Sequence, residues 1–254
     1  MSADPRDTRC VITVDCGNTM VKAVAWHGSV PVARLAGASP DIAELRRLVG
    51  GVAPYGVALC SVAAPSGALI SALRRLSPAR MLEISHLTPF PLRIDYATPR
   101  SLGLDRIAAA CACSARFPGK ALLVVDAGTA VTLDIVTADG AFAGGDIAPG
   151  LSLRFSSLHD HTSRLPLVKA EGQLPCFGRD TDSAIRCGVV GGVIAQIERS
   201  FRLARDIYGV SGIVLSGGDA PFLHPLLLDA GLPVSVFPDM VSAGILEIFN
   251  YSES

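Results

Sequence analysis

This sequence has no long uninterrupted apolar run, no excess of charge of one sign and no paired-cysteine motif, and each absence narrows what the chain does. Its apolar stretches are short and broken by Gly, Asp or Pro, so none reaches the roughly 20 residues that a bilayer-spanning helix needs. The first seven residues, Met1 to Asp7, are charged and lack the apolar core of a secretory signal. A net charge of −1 supplies no basic field to hold nucleic acid or an anionic membrane. The cysteines number seven, an odd count, with no CxxC, and only Cys111 and Cys113 stand close together, in an Ala-rich run. Reduced thiols in a cytoplasmic protein are the expectation. Also missing are a GxxxxGK[ST] phosphate loop, a GxGxxG after the first strand, a GxSxG elbow and an HExxH. Walker-type and Rossmann nucleotide sites, an α/β-hydrolase nucleophile and a zincin metal site are therefore not expected.

What the sequence does have is apolar mass. Half the residues are hydrophobic and 18% are charged, enough for a sizeable core in one large α/β unit or two compact domains. Cys10–Cys16 is an apolar run ending around Asp15, and Met20–Trp26 and Val30–Ala36 follow after short Gly-containing turns. Together they predict three strands with tight connections. Asp41–Val49 reads as a helix, Gly56–Cys60 as a buried strand, Ser66–Leu76 as a helix, Arg80–Ile84 as a strand, and Ser101–Arg116 as a helix with Ser101 as N-cap.

The pattern then restarts. Ala121–Asp126, Val131–Thr137 and Phe142–Ile147 again predict three strands. A long helix over Asp180–Tyr208, a strand at Ile213–Ser216, a helix from Pro221, a strand at Val234–Phe237 and a helix near Ser242–Asn250 complete the chain. VITVDCGNTMVKAVAW and LLVVDAGTAVTLDIV are versions of one pattern: strand, Asp-x-Gly, a polar residue, second strand. Asp15 aligns with Asp126, Gly17 with Gly128 and Asn18 with Thr129. Duplication of this kind predicts two similar domains, 1–117 and 118–254, facing a shared cleft, with the break at Phe117-Pro118-Gly119.

The two Asp-x-Gly turns are the candidate chemistry. In the first, Gly17 permits close backbone approach to a phosphate, the Asn18 and Thr19 side chains supply donors, Lys22 supplies positive charge, and Asp15 supplies the oxygen ligands that a hard cation prefers. An ordinary β-hairpin would use the same residues for turn chemistry alone. In the second, Gly128 and Thr129 would serve phosphates and Asp126 a cation. Gly217-Gly218, after a strand and before Pro221, would admit a flat group such as adenosine, or form a plain strand-to-helix turn. Asp105 and Arg106 open a helix, where they favour the dipole or make a surface pair. His159 and His161 lack a third ligand at the usual spacing and sit in what reads as a polar loop. His86 and His224 have no obvious partner, and Trp26 reads as packing.

The ordered set of motifs resembles the type III pantothenate kinases. DCGNTMVK at Asp15–Lys22 is similar to the family's first phosphate loop, GLDR at Gly103–Arg106 to its substrate motif, and DAGTAVTLD at Asp126–Asp134 to its second phosphate loop. GGDIAPGLSL at Gly144–Leu153, FGRDTDSAIRCG at Phe177–Gly188 and Ser216-Gly217-Gly218 follow in the family's order. The resemblance implies an α/β fold of two actin-like (ribonuclease H-like, ASKHA) domains, each a mixed sheet flanked by helices. It implies transfer of a phosphoryl group from ATP-Mg²⁺ to pantothenate, at the start of coenzyme A synthesis, in a homodimer. Asp105 would be the general base, and Tyr96, Gly103, Leu104, Arg106 and Thr181 would hold pantothenate. Asp15, Cys16, Gly17, Asn18, Thr19, Met20, Val21, Lys22, Gly128, Thr129, Gly217 and Gly218 would bind ATP. Asp126 would take K⁺ or NH₄⁺, and Asp15 would hold Mg²⁺, directly or through water. Cys16, Leu104 and Ser163 depart from the family's usual residues without removing a polar group. Two other readings stay open on these residues: another phosphotransferase or phosphatase of the same fold, acting on sugars or polyphosphate, and a non-catalytic accessory factor in gene regulation.

Overall fold

The computed structural model describes residues 9–17, 20–38, 40–61, 66–76, 78–172 and 174–253. The chain forms two compact units, one built from residues 1–118 with 239–254 and one from residues 119–238.

The first unit begins with the antiparallel meander expected from the sequence, β1 (Cys10–Cys16), β2 (Val21–His27) and β3 (Val30–Gly37). Helix α1 (Ile42–Leu48), strand β4 (Gly56–Ser61), helix α2 (Gly67–Arg74) and strand β5 (Arg80–Glu83) follow. The sheet order is β3-β2-β1-β4-β5, with β4 and β5 parallel to β1. Ile12, Val14, Cys16, Ala23 and Leu59 pack with Leu45, Leu48, Leu69 and Leu73 of α1 and α2 in one apolar cluster. The alternate positions Val11, Thr13, Val24 and Trp26 are also buried, because helices cover the sheet on both faces. Trp26 donates through Nε1 to the Thr13 hydroxyl at 2.8 Å, so its one polar atom is satisfied inside the core.

A two-residue strand β6 (Arg93–Ile94) and a 3₁₀ turn (Pro99–Ser101) lead into helix α3 (Leu104–Arg116). Here the structure corrects the expected start. Ser101 lies in the 3₁₀ turn with its hydroxyl bonded to Thr98, and the N-cap of α3 is Gly103.

The second unit repeats the plan of the first. Strands β7 (Leu122–Ala127), β8 (Ala130–Val136) and β9 (Ala141–Pro149) form an antiparallel meander. Helices α4 (Leu151–Asp160) and α5 (Thr181–Tyr208), strand β10 (Gly212–Ser216), helix α6 (Ala220–Asp229) and strand β11 (Val234–Val236) follow. Among this unit's own strands the order is β9-β8-β7-β10-β11, with β7, β10 and β11 parallel, the same plan as β3-β2-β1-β4-β5. Leu123, Val125, Leu133 and Leu215 pack against Val189, Val193, Ile197 and Phe201 of α5. Asp180 caps α5 with a reciprocal Ser183 bond, and Gly209 closes it at φ 68°, the left-handed position that glycine fills without a Cβ penalty. Helix α4 was not expected: the segment holding His159 reads as a loop, yet it is helical, and the His159 ring bonds to the Leu165 carbonyl through Nδ1 at 2.9 Å.

The last helix, α7 (Met240–Tyr251), differs from the expected partition at residue 118, because it packs in the first unit. Its contact with α3 brings backbone against backbone. A Cβ on Gly244 would collide with the Ala108 backbone, and the fully buried Phe249 ring lies over Gly56, where β4 begins. Arg80 bonds to Glu253 at 3.0 Å and to the Ser252 carbonyl, fixing Ser252 and Glu253 beside β5. Substituting Gly244→Ala overpacks this helix pair and should cost about 1–3 kcal/mol. Urea unfolding, followed by far-UV circular dichroism, measures that loss as a lower midpoint at unchanged slope.

Candidate active site

In the first unit, the strand ends set the site. Asp15 is the next-to-last residue of β1, opposite Lys22 on β2 and Cys60 on β4. Directly paired residues share a sheet face, so Asp15, Lys22 and Cys60 point the same way. Cys16 and Val21 point to the other face and belong to the apolar cluster; of the ATP residues expected from sequence, these two can offer only backbone. Gly17 turns the chain by donating its N–H to the Met20 carbonyl at 3.1 Å, and Met20 is exposed. Asn18 and Thr19 lie outside the described residues.

Asp105 sits in the first turn of α3, and its Oδ1 accepts from the Arg106 N–H at 2.9 Å. A Cβ on Gly103 would collide with that carboxylate, so glycine at this position leaves room for the acid to fold back on its own helix start. Leu104 is buried, and so is Arg106, at 6% exposure, although it carries a charge that rarely leaves water unpaired. Tyr96 is half-buried on the segment before the 3₁₀ turn. His86, for which the sequence indicates no partner, bonds through Nε2 to the Leu102 carbonyl at 2.8 Å and so fixes the approach to Gly103.

One observation ties these pieces together. The Cys60 thiol is raised well above its ordinary value by burial first, then by the negative charges of Asp15 and Asp105. The two carboxylates therefore share one electrostatic neighbourhood, although they stand 90 positions apart in sequence. Cys16 is pushed up to about 11 by burial and by Asp15, against a hydrogen bond from Ser61 that lowers it. Both thiols are thus neutral at physiological pH and inert as nucleophiles.

In the second unit the equivalent strand ends make a second turn. Asp126 lies opposite Ser216 on β10 and Thr132 on β8. Gly128 donates to the Ala130 carbonyl at 2.9 Å, and the Thr129 carbonyl accepts from the Gly150 N–H at 2.9 Å. Thr129 and Gly218 are exposed. Gly217 has φ 97°, and a Cβ there would collide with the Ala127 carbonyl and meet Asp126 Oδ1 at 2.6 Å. Asp126, Gly128, Thr129, Gly217 and Gly218 are therefore gathered at the C-terminal ends of two parallel strands, where ligands of open α/β sheets bind. Two participants were missed: Gly150, which is buried against the Gly128 carbonyl, and Asp219, whose N–H donates to the Ala127 carbonyl at 3.0 Å. Thr181 opens α5 and is exposed; it belongs to the second unit and Tyr96 to the first. A cavity of about 320 Å³ lined by Arg74, Pro78, Met81 and Glu83 includes none of these residues.

The family model for type III pantothenate kinase matches residues 11–203, and a type III pantothenate kinase from Phocaeicola vulgatus is 34% identical over 244 residues, covering 95% of this chain and 98% of the relative. The chain belongs to the type III pantothenate kinase family. Among solved structures, a conserved Baf-family protein from Campylobacter jejuni superposes with a TM-score of 0.62 at 19% identity, covering 95% of this chain and 98% of its own. Component A of (R)-2-hydroxyglutaryl-CoA dehydratase from Acidaminococcus fermentans follows at 0.53 and 12%, covering 97% and 100%. These two speak for the fold alone, the actin-like α/β architecture of paired mixed sheets.

N-ethylmaleimide at pH 8, read by mass spectrometry, should modify the exposed Cys176 within minutes and leave Cys60 and Cys111 unmodified until the protein unfolds. Early labelling of Cys60 would show that the Asp15–Asp105 neighbourhood is open to solvent.

Proposed function

We propose that this chain transfers the γ-phosphoryl group of ATP to the primary hydroxyl of pantothenate, giving 4′-phosphopantothenate for coenzyme A synthesis, with Asp105 as general base. The activity follows from family membership over most of the chain. The observation that supports the residue assignment is that Asp15 and Asp105 act on one buried thiol from a strand end and a helix start.

Phosphoryl transfer asks the protein for positioning and charge neutralisation, because the transition state is loose and little covalent help is needed. The Asp15–Lys22 turn and the Gly128-Thr129 turn are assigned to the phosphates, and Lys22 on the Asp15 face adds positive charge. Mg²⁺ keeps several waters and binds through one or two carboxylates and the substrate's phosphates, so a single strand-end carboxylate is enough to hold it. Asp15 is its assigned protein ligand, directly or through water, and the ion's contribution is to neutralise charge on the transferring group. Asp126 is assigned to K⁺ or NH₄⁺. Gly217 and Gly218 are assigned to the adenosine side, and the space beside Gly218 is open.

Asp105 accepts the proton of the pantothenate hydroxyl and orients that oxygen in line with the γ-phosphorus. Arg106 pairs with the substrate carboxylate in a bidentate fork, and Tyr96, Gly103, Leu104 and Thr181 complete the acceptor site. A homodimer in the cytoplasm is part of the same reading.

Asp105→Asn removes the base and leaves the helix start intact. We expect kcat to fall about 100- to 10,000-fold with an unchanged melting temperature, in a coupled ADP-release assay with pantothenate run in K⁺ and then in Na⁺. Turnover in K⁺ alone supports the Asp126 assignment. ADP release with sugars or polyphosphate but not with pantothenate would sink the acceptor assignment.

A further inference from the structure

Of the seven thiols, Cys176 alone is exposed, and it stands beside a second thiol that the core does not use. Cys187 lies on α5, where Ile185, Val189, Val190 and Val193 make the face that enters the second unit's core. Cys187 is off that face and only partly buried. What lies over it is the strap that leads into the helix, residues 169–172 and 174–180.

The strap is fastened to α5 at several points. The Lys169 carbonyl accepts from Arg186 Nε at 3.1 Å, and Leu174 packs against the core. The Cys187 thiol donates to the Pro175 carbonyl at 3.0 Å. A Cβ on Gly178 would collide with the Ala184 backbone, and the N–H groups of Arg179 and Asp180 donate to the Ser183 hydroxyl at 3.1 and 3.2 Å. From Pro175 to Asp180 the strap thus runs antiparallel to the first two turns of the helix it starts.

This arrangement brings two thiols within reach of each other. The Pro175 carbonyl and the Cys176 α carbon share one planar peptide unit, so that α carbon lies within about 6 Å of the Cys187 sulfur. A disulfide sets its two α carbons about 4.4–6.8 Å apart. A small slide of the strap, with the Cys187 thiol leaving the Pro175 carbonyl, meets that requirement. Thr181 follows Cys176 by five residues. Between them Gly178 sits on the helix backbone with no room for a methyl group, so a pull at Cys176 passes to the helix start instead of being absorbed.

We propose that Cys176 and Cys187 form a reversible disulfide under peroxide, a modification that shifts the strap and displaces Thr181 at the start of α5. The consequence for turnover rests on the reading of Thr181 as part of the acceptor site. Deprotonated Cys176 attacks one oxygen of hydrogen peroxide; the O–O bond breaks, an S–OH group forms and the departing hydroxide is protonated to water. The Cys187 sulfur, its proton given to solvent, then attacks the Cys176 sulfur; the S–S bond forms, the S–O bond breaks and a second hydroxide leaves as water. Two thiols lose two electrons and two protons, and one peroxide becomes two waters.

The test is peptide mapping without reduction, after the purified protein has met a small excess of hydrogen peroxide and been quenched with N-ethylmaleimide. A linked Cys176–Cys187 peptide pair, lost on treatment with dithiothreitol and absent from Cys176→Ser and Cys187→Ser, is the expected result. Recovery of Cys176 as sulfinic acid with Cys187 still alkylated, and no linked pair, overturns the proposal. In the linked protein the KM for pantothenate should rise about threefold or more while the KM for ATP stays unchanged, and dithiothreitol should restore the first value. Peroxide-treated Cys176→Ser should keep its untreated kinetics. Wild-type KM for pantothenate in fully linked protein overturns the coupling to Thr181. If the reduced wild type does not phosphorylate pantothenate at all, the acceptor reading fails and the effect on turnover goes with it, while the peptide map still decides the disulfide.

Discussion

The second unit depends on the lack of room for side chains around the turn after β7. Carbonyls of Ala127 and Gly128 are approached so closely by Gly217 and Gly150 that a single methyl group on either would collide with them. Close approach of backbone to backbone leaves N–H groups and carbonyls, not side chains, as the lining of the turn. Under the proposed function this turn faces the phosphates of ATP. The acidic residues then serve as exceptions placed at strand ends: Asp126 here, Asp15 at the equivalent end of β1.

The first unit solves a different problem with the same strand order. Asp15 and Asp105 bring two negative charges near a buried thiol that stays neutral. A neutral thiol adds no third charge to these two, and Gly103 lets the second acid lie back on the helix that presents it. Duplication thus gave two copies of one sheet plan, one of which holds its acids with helix geometry and the other with glycine packing.

Much of this was legible in the residues. The two Asp-x-Gly turns, the restart of three strands and the long α5 all follow from apolar runs punctuated by Gly, because local pattern decides them. The start of α3 was misplaced because Ser101 looks like a cap, whereas its hydroxyl is spent on Thr98 and the helix begins at Gly103. Helix α4 was missed for a related reason: no side chain caps it from within its own sequence, and three of its ten residues are serines, which compete with helix formation. The bond from the Asp219 N–H to the Ala127 carbonyl, 92 positions apart in sequence, is one that only the folded chain shows. His86 with Leu102 and Cys60 with its two acids were hidden in the same way, since each pairing is made by sheet register and helix packing rather than by neighbours in sequence.

The position of α7 has a consequence for how the polypeptide comes into being. The second unit is one continuous stretch, but the first is interrupted by it and recovers α7 only from the final sixteen residues. During synthesis on the ribosome, residues 119–238 can collapse as soon as they emerge. The earlier stretch must wait, with the apolar face of α3 and the pit above Gly56 uncovered, until residues 239–254 are made and bring Gly244 and Phe249. The half made first is the half finished last.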